Sequence, residues 1–223
     1  MGKLDEVLAA AKAGAADAGS TGTALVVTGG GSNLPAIVNN MSAEAFLNSG
    51  GMDVDGYISV NEFGIRLNKN WKGFLDDFEA IIDLSEVTYA FGIQKTVGKN
   101  VEYEKTYDTK TTARGGSWPD TVARFKAESQ KPADPYRLAE IPLTLTQGYE
   151  DPKGGSPVEA DTTLGITTSV TAFKPWQKFH KKLMKAGLGE AKVRVKVTHA
   201  PRTNAAGQNY GVYEFEALEV LDD

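Results

Sequence analysis

Nine basic side chains and one acid lie between residues 171 and 202. They are Lys174, Lys178, Lys181, Lys182, Lys185, Lys192, Arg194, Lys196 and Arg202, set against Glu190. In a chain of net charge −5, such a run creates a local potential that attracts polyanions. Each ammonium or guanidinium that meets a phosphate releases condensed counterions, which favours contact at low salt. A second set of residues offers rings. Tyr103 and Tyr107 flank Lys105 and are followed by Lys110, Arg114 and Trp118, while Tyr210 lies beyond the basic run. A ring stacks on an unpaired base for about 1–3 kcal/mol with little sequence preference. Cations interleaved with rings are the combination that binding of a single strand requires. The expected contacts are Lys105, Lys110, Arg114, Lys174, Lys178, Arg194, Lys196 and Arg202 to phosphate, and Tyr103, Tyr107, Trp118 and Tyr210 to bases.

Other chemistries find little support. The chain has no cysteine, which excludes disulfides, thiolate metal sites and a cysteine nucleophile. Its two histidines, His180 and His199, belong to neither a Gly-x-Ser-x-Gly nor a His-Glu-x-x-His motif. The reading is a non-enzymatic protein with no cofactor and no metal. Residues 51–62 nevertheless resemble an EF-hand calcium loop. Asp53, Asp55, Gly56, Ile58, Ser59 and Glu62 stand at the places that loop uses, but Gly51 occupies the place of its first aspartate. A turn opening a β-strand is the expected structure there, and a calcium-stabilised module is the alternative.

The elements that must position these residues are mostly strands. Tyr57–Val60 and Phe63–Leu67 are short β-rich runs, and Phe78 to Ile93 is a long one interrupted at Ser85 and Gly92. Val101 to Thr112 alternates, with Val101, Tyr103, Lys105, Tyr107 and Thr109 on one face. Asp120 to Glu128 suggests a helix, Arg137 to Tyr149 a strand, and Leu164 to Phe173 another. Pro175 then opens a helix with Trp176, Phe179, Leu183 and Met184 on one side and lysines on the other. Val193, Val195 and Val197 face one way from the next strand, with Lys192, Arg194 and Lys196 opposite. Ala200 to Asn209 reads as a loop and Tyr210 to Val220 as the last strand. Ahead of these, residues 3–18 favour helix, Thr28 to Ser32 is a Gly-rich joint, and 42–48 suits a short helix.

Charge is partitioned along the chain: residues 1–92 carry 5 basic and 12 acidic side chains, and residues 203–223 carry no basic and 5 acidic ones. No apolar run reaches the roughly 20 residues of a membrane helix. The acids Asp5, Glu6 and Asp17 argue against a secretion signal.

Three pieces together resemble the bacteriophage-type single-stranded DNA-binding proteins built on an OB fold. They are the strands from Tyr57 to Tyr107, the strand-to-helix passage Phe173-Lys-Pro-Trp176 with its lysine-rich helix, and Val193–His199 followed by a polar loop and Tyr210–Phe215. The resemblance implies a mainly β protein: an OB-like antiparallel β-barrel with a helix between its third and fourth strands and inserted elements. This domain would span residues 51–223, preceded by an N-terminal helical extension over 1–50. It also implies a sequence-tolerant sheath for single-stranded DNA in phage replication or recombination, located in the host cytoplasm. Replication or recombination proteins would be further partners, and no membrane is involved. A virion structural or assembly protein is the alternative from another class.

Overall fold

Residues 52–221 are described by a computed structural model. The predicted N-terminal helices and the Gly-rich joint lie outside these residues. The described chain is mainly β, with ten strands and two α-helices.

The strands are β1 (Gly56–Tyr57), β2 (Ser59–Asn61), β3 (Gly64–Arg66), β4 (Asp77–Asp83), β5 (Thr88–Val97), β6 (Asn100–Thr106), β7 (Tyr136–Leu145), β8 (Thr163–Thr167), β9 (Lys192–Thr203) and β10 (Asn209–Leu221). Helix α1 (Trp118–Glu128) lies between β6 and β7, and α2 (Phe173–Lys185) between β8 and β9. Eight strands form one mixed sheet in the order β1-β8-β7-β4-β9-β10, with β5 joined to β7 and β6 to β5. The pairings are antiparallel except β1 with β8, which run parallel. That parallel pair is the exception in a sheet that is otherwise antiparallel, as expected for most of it. Strands β2 and β3 make a separate hairpin.

The expected long strand from Phe78 is broken. A single 3₁₀ turn, Leu84–Glu86, separates β4 from β5, and Asp83 caps it by accepting from the Ser85 N–H. The break lets β4 and β5 take different halves of β7. Strand β6 ends at Thr106 rather than Thr112, and β9 runs to Thr203, which shortens the expected loop to residues 204–208.

One core holds most of the sheet together. Phe78, Ala80 and Ile82 of β4 point into it beside Val193, Val195 and Val197 of β9. Alternation puts the charged residues of both strands outside, as β-branched inward positions require. Helix α2 closes this core with Trp176, Phe179 and Leu183. Met184, expected on the same seam, is 59% exposed, and His180 takes the buried place. A smaller cluster of Ile93, Trp118, Phe125 and Ala133 seats α1 against β5.

Helix α2 is also tied by a polar relay. The Trp176 indole N–H donates to the Tyr89 hydroxyl (3.1 Å), and that hydroxyl donates to His180 Nδ1. His180 Nε2 donates to the Gly189 carbonyl (3.1 Å), which fixes the tautomer. The helix ends where Gly187 turns away at φ 82°. Tyr89→Phe leaves the Trp176 donor and the His180 acceptor without partners. It is expected to lower stability in urea unfolding by about 1–3 kcal/mol.

Candidate functional site

The residues expected to do chemistry divide into three places. The first is the outer face of β9. Lys192, Arg194 and Lys196 do project together, as their alternation requires, but acids flank them on both sides. Glu79 of β4 lies opposite Lys196 and Asp83 opposite Lys192. From β10, Glu216 lies opposite Lys196 and Glu219 opposite Arg194. A bulge at Leu218 returns Glu219 to the outer face. Arg194 pairs with Glu79 at 2.8 Å and Glu219 at 3.6 Å, Lys196 with Asp77 at 2.9 Å, and Arg202 with Glu214 at 2.5 Å. This face is a ladder of cross-strand ion pairs and not the open cationic strip that the sequence suggests.

The second place is α2. Lys174, Lys178, Lys181 and Lys185 are exposed, with no carboxylate in ion-pair range among the described residues. Here the sorted charge survives folding.

The third place is a groove of about 420 Å³ across the outside of β6, β7 and β8. Tyr57, Tyr103 and Tyr136 line it, with Arg114 and Glu104 at one edge and Thr168 and Ser169, just ahead of α2, at the other. Tyr103 is 54% exposed. The register explains the gathering: Gln94 pairs with Tyr103, and Gly92 pairs with both Lys105 and Tyr136. Side chains directly opposite across strands share a face. Gly92 has a specific role there, because a Cβ would come within 2.9 Å of the Tyr136 ring.

The floor of the groove is built around Glu140. Its carboxylate is buried, at 3% exposure, and accepts from Lys105 Nζ (2.5 Å) and from the Tyr107 hydroxyl (2.7 Å). Lys105 also lies over the Tyr107 ring. Tyr107 is therefore half-buried and Lys105 is neutralised, so neither is free for the contact expected of it. Trp118 is corrected as well. It is 6% exposed at the first position of α1, packed in the cluster with Ile93 and Phe125, and presents no open face. Lys110 is exposed in the turn after β6. Tyr210 is half-buried opposite Arg202 near the tip of the β9–β10 hairpin.

Burial pushes the phenols of Tyr57, Tyr107 and Tyr136 above their usual range. The Glu140 carboxylate adds to the rise at Tyr57 and Tyr107, and the neighbouring Tyr103 adds to it at Tyr136. All three are neutral near pH 7 and do not repel an anionic ligand.

The turn after β6 sets the groove's edge. Asp108 accepts from the N–H groups of Lys110 and Thr111, both at 2.8 Å, and from the Thr111 hydroxyl at 2.9 Å. The chain then runs back along β6, where the Ala113 N–H donates to the Lys105 carbonyl and Arg114 reaches Glu104 at 2.9 Å. The Thr111 N–H bond is the main reason the Asp108 carboxyl falls from 3.8 to about 2.

The calcium-loop reading does not match the geometry. Residues 56–66 form β1 and the β2–β3 hairpin, with Glu62 at the hairpin turn, while the Asp55 carboxylate accepts from the Thr163 N–H. Among the described residues no group of three or more His, Asp or Glu side chains could hold a metal ion.

Comparison of the chain with protein-family models, with curated proteins and with solved structures finds no match.

Glu140→Ala strands the Lys105 ammonium and is expected to cost about 3–5 kcal/mol. Lys105→Met with Glu140→Leu and Tyr107→Phe, which removes every partner of the carboxylate, should recover most of that loss. Paired urea titrations check both outcomes. Because the folded Asp108 pKa lies below its unfolded value, its contribution is present above about pH 4 and is lost as pH falls toward 2. Asp108→Asn should remove that component of the acid-induced loss, measured as melting temperature against pH.

Proposed function

We propose that this protein binds single-stranded DNA without chemistry, on an OB-like barrel, along the tyrosine-lined groove of β6, β7 and β8. The observation that carries the reading is the convergence of Tyr57, Tyr103 and Tyr136 on one open groove, with Arg114 at its edge.

The order of pairing supports the barrel. Taken together, β4 and β5 act as one bent first strand, paired with β9 on one side and β7 on the other. Strands β7, β8, β9 and β10 follow as second to fifth, with α2 between third and fourth, as in OB folds. Closure would fall between β8 and β10. Strand β1 pairs with β8 there, and the Tyr213 hydroxyl of β10 donates to the Ile58 carbonyl (3.2 Å). The segment 56–61 thus stands in the gap. The β5–β6 hairpin and α1 are the insertion between first and second strands. The outer faces of the second and third strands are where this fold takes oligonucleotides.

Bases would stack on Tyr103 and Tyr136, and phosphates would meet Arg114, Lys110 and the exposed lysines of the first half of α2, Lys174 and Lys178. Arg194, Lys196 and Arg202 would reach phosphate only by leaving their carboxylates, as would Arg114, which is paired with Glu104 at 2.9 Å. Mutation of Arg194, Lys196 or Arg202, which lie off the tyrosine groove, should therefore weaken binding less than loss of Lys174 or Lys178. A sheath in replication or recombination is the role this activity would serve.

All three tryptophans are buried, so anisotropy of a labelled oligo(dT) is the informative signal. Tyr103→Ala is expected to weaken binding by about 1–3 kcal/mol. Arg114→Ala is expected to reduce the slope of log affinity against log salt by about 0.7. Absence of binding by the wild-type protein at low salt, or full affinity in Tyr103→Ala, would overturn the reading; stable oligomers with no affinity for oligo(dT) would favour the virion alternative.

A further inference from the structure

We infer that Phe63, at the tip of the β2–β3 hairpin, is a second stacking station for a single-stranded polynucleotide, separate from the tyrosine groove. The inference rests on the single-strand reading above and extends the strand's path.

Phe63 is 66% exposed, more than any other large hydrophobic residue among those described. An exposed aromatic ring on a floppy loop would mean little, but this one is held. The Phe63 N–H donates to the Asn61 side-chain oxygen (2.9 Å), which fixes the turn. The His199 ring donates to the Asn61 carbonyl (3.0 Å), docking the hairpin on β9. Gly211 of β10 allows that approach, since a Cβ there would lie 2.1 Å from the same carbonyl. The ring itself leans on Phe74, with centroids 5.7 Å apart, so one face is supported and the rest is open.

Cations surround the pair. The Arg66 guanidinium lies 4.5 Å over the Phe74 ring, with no carboxylate in ion-pair range among the described residues and its Nε without a hydrogen-bond partner. Lys153 lies 6.0 Å from the same ring. Asp151 accepts from the N–H groups of Lys72 and Lys153, so the two lysines leave adjoining backbone. On the other side, a second groove of about 550 Å³, lined also by Glu62, runs between Phe63 and Arg202. The charge of Arg202 is paired with Glu214, so the cations that count here are Arg66 and Lys153. Ring and cations are thus arranged for a base and its flanking phosphates.

The two stations are joined by one continuous ribbon. Tyr57 lines the first groove and Phe63 the second, with Ile58 to Glu62 between them. A strand lying along that ribbon would meet rings at both ends. An acidic peptide would use the cations but would not need the exposed ring.

The test uses the full chain with labelled oligo(dT) of about 4 and about 16 nucleotides, the span of site sizes for one OB fold. Phe63→Ala is expected to bind the longer oligomer roughly 5- to 100-fold more weakly and the shorter one as wild type does. Phe63→Trp should keep wild-type affinity for both, which separates stacking from any fault in folding. Tyr103→Ala should weaken both lengths. If Phe63→Ala matches wild type on the longer oligomer while Tyr103→Ala is weakened, the second station is overturned and the groove reading stands. Equal losses at both lengths in Phe63→Ala also overturn a separate station. If wild type binds neither oligomer, the groove reading fails first and this one with it.

Discussion

Strand β7 is hydrogen-bonded to three other strands, β4, β5 and β8. A strand has only two edges, so one of them must be shared. The 3₁₀ turn at Leu84–Glu86 makes the sharing possible. It ends β4 against the Thr144–Leu145 end of β7 and restarts the chain as β5 against Tyr136–Glu140. Everything outside the core follows from that arrangement. The β5–β6 hairpin continues beyond the main sheet, α1 covers one of its faces, and the other face stays open beside β8. The groove exists because β7 carries Tyr136 and Glu140 on the same outer side.

Glu140 shows how the site and the stability of the fold are joined. A buried carboxylate is costly unless it is paired and hydrogen-bonded. Here Lys105 and Tyr107 from the end of β6 satisfy it, so the desolvation cost becomes a clamp between hairpin and sheet. The side chains that looked most available for ligand are the ones that hold the groove's floor. Those left open, Tyr57 and Tyr103, need no charge to contact a base.

The cations of β9 show a related effect. Exposed ion pairs contribute little each, about 0–1 kcal/mol, but here a row of them sets the acids of β4 and β10 against the bases of β9, and a slip of one residue would turn those charged side chains toward the core. The acids of β4 and β10 thus do two things: they favour one pairing, and they cancel the positive strip. What remains basic is the outer face of α2, where the neighbours in sequence are lysines and no strand lies alongside.

Local pattern alone determined a good deal about this protein. The two helices were legible from Asp120 to Glu128 and from Pro175 onward, because amphipathic spacing and proline placement are local properties. Val193, Val195 and Val197 announced an inward face for the same reason, and Tyr103 could be marked as a ring beside cations. Tertiary structure alone decided which of those groups stay available. Trp118 begins a helix whose partner, β5, lies more than twenty residues earlier in the chain, so its burial left no local trace. Arg194 and Lys196 meet acids from β4, more than a hundred residues before them. Phe63 lay in a short β-rich run with no sign that both neighbouring strands would dock and leave its ring outside. Periodicity records which way a side chain points, but only long-range strand pairing determines what it faces.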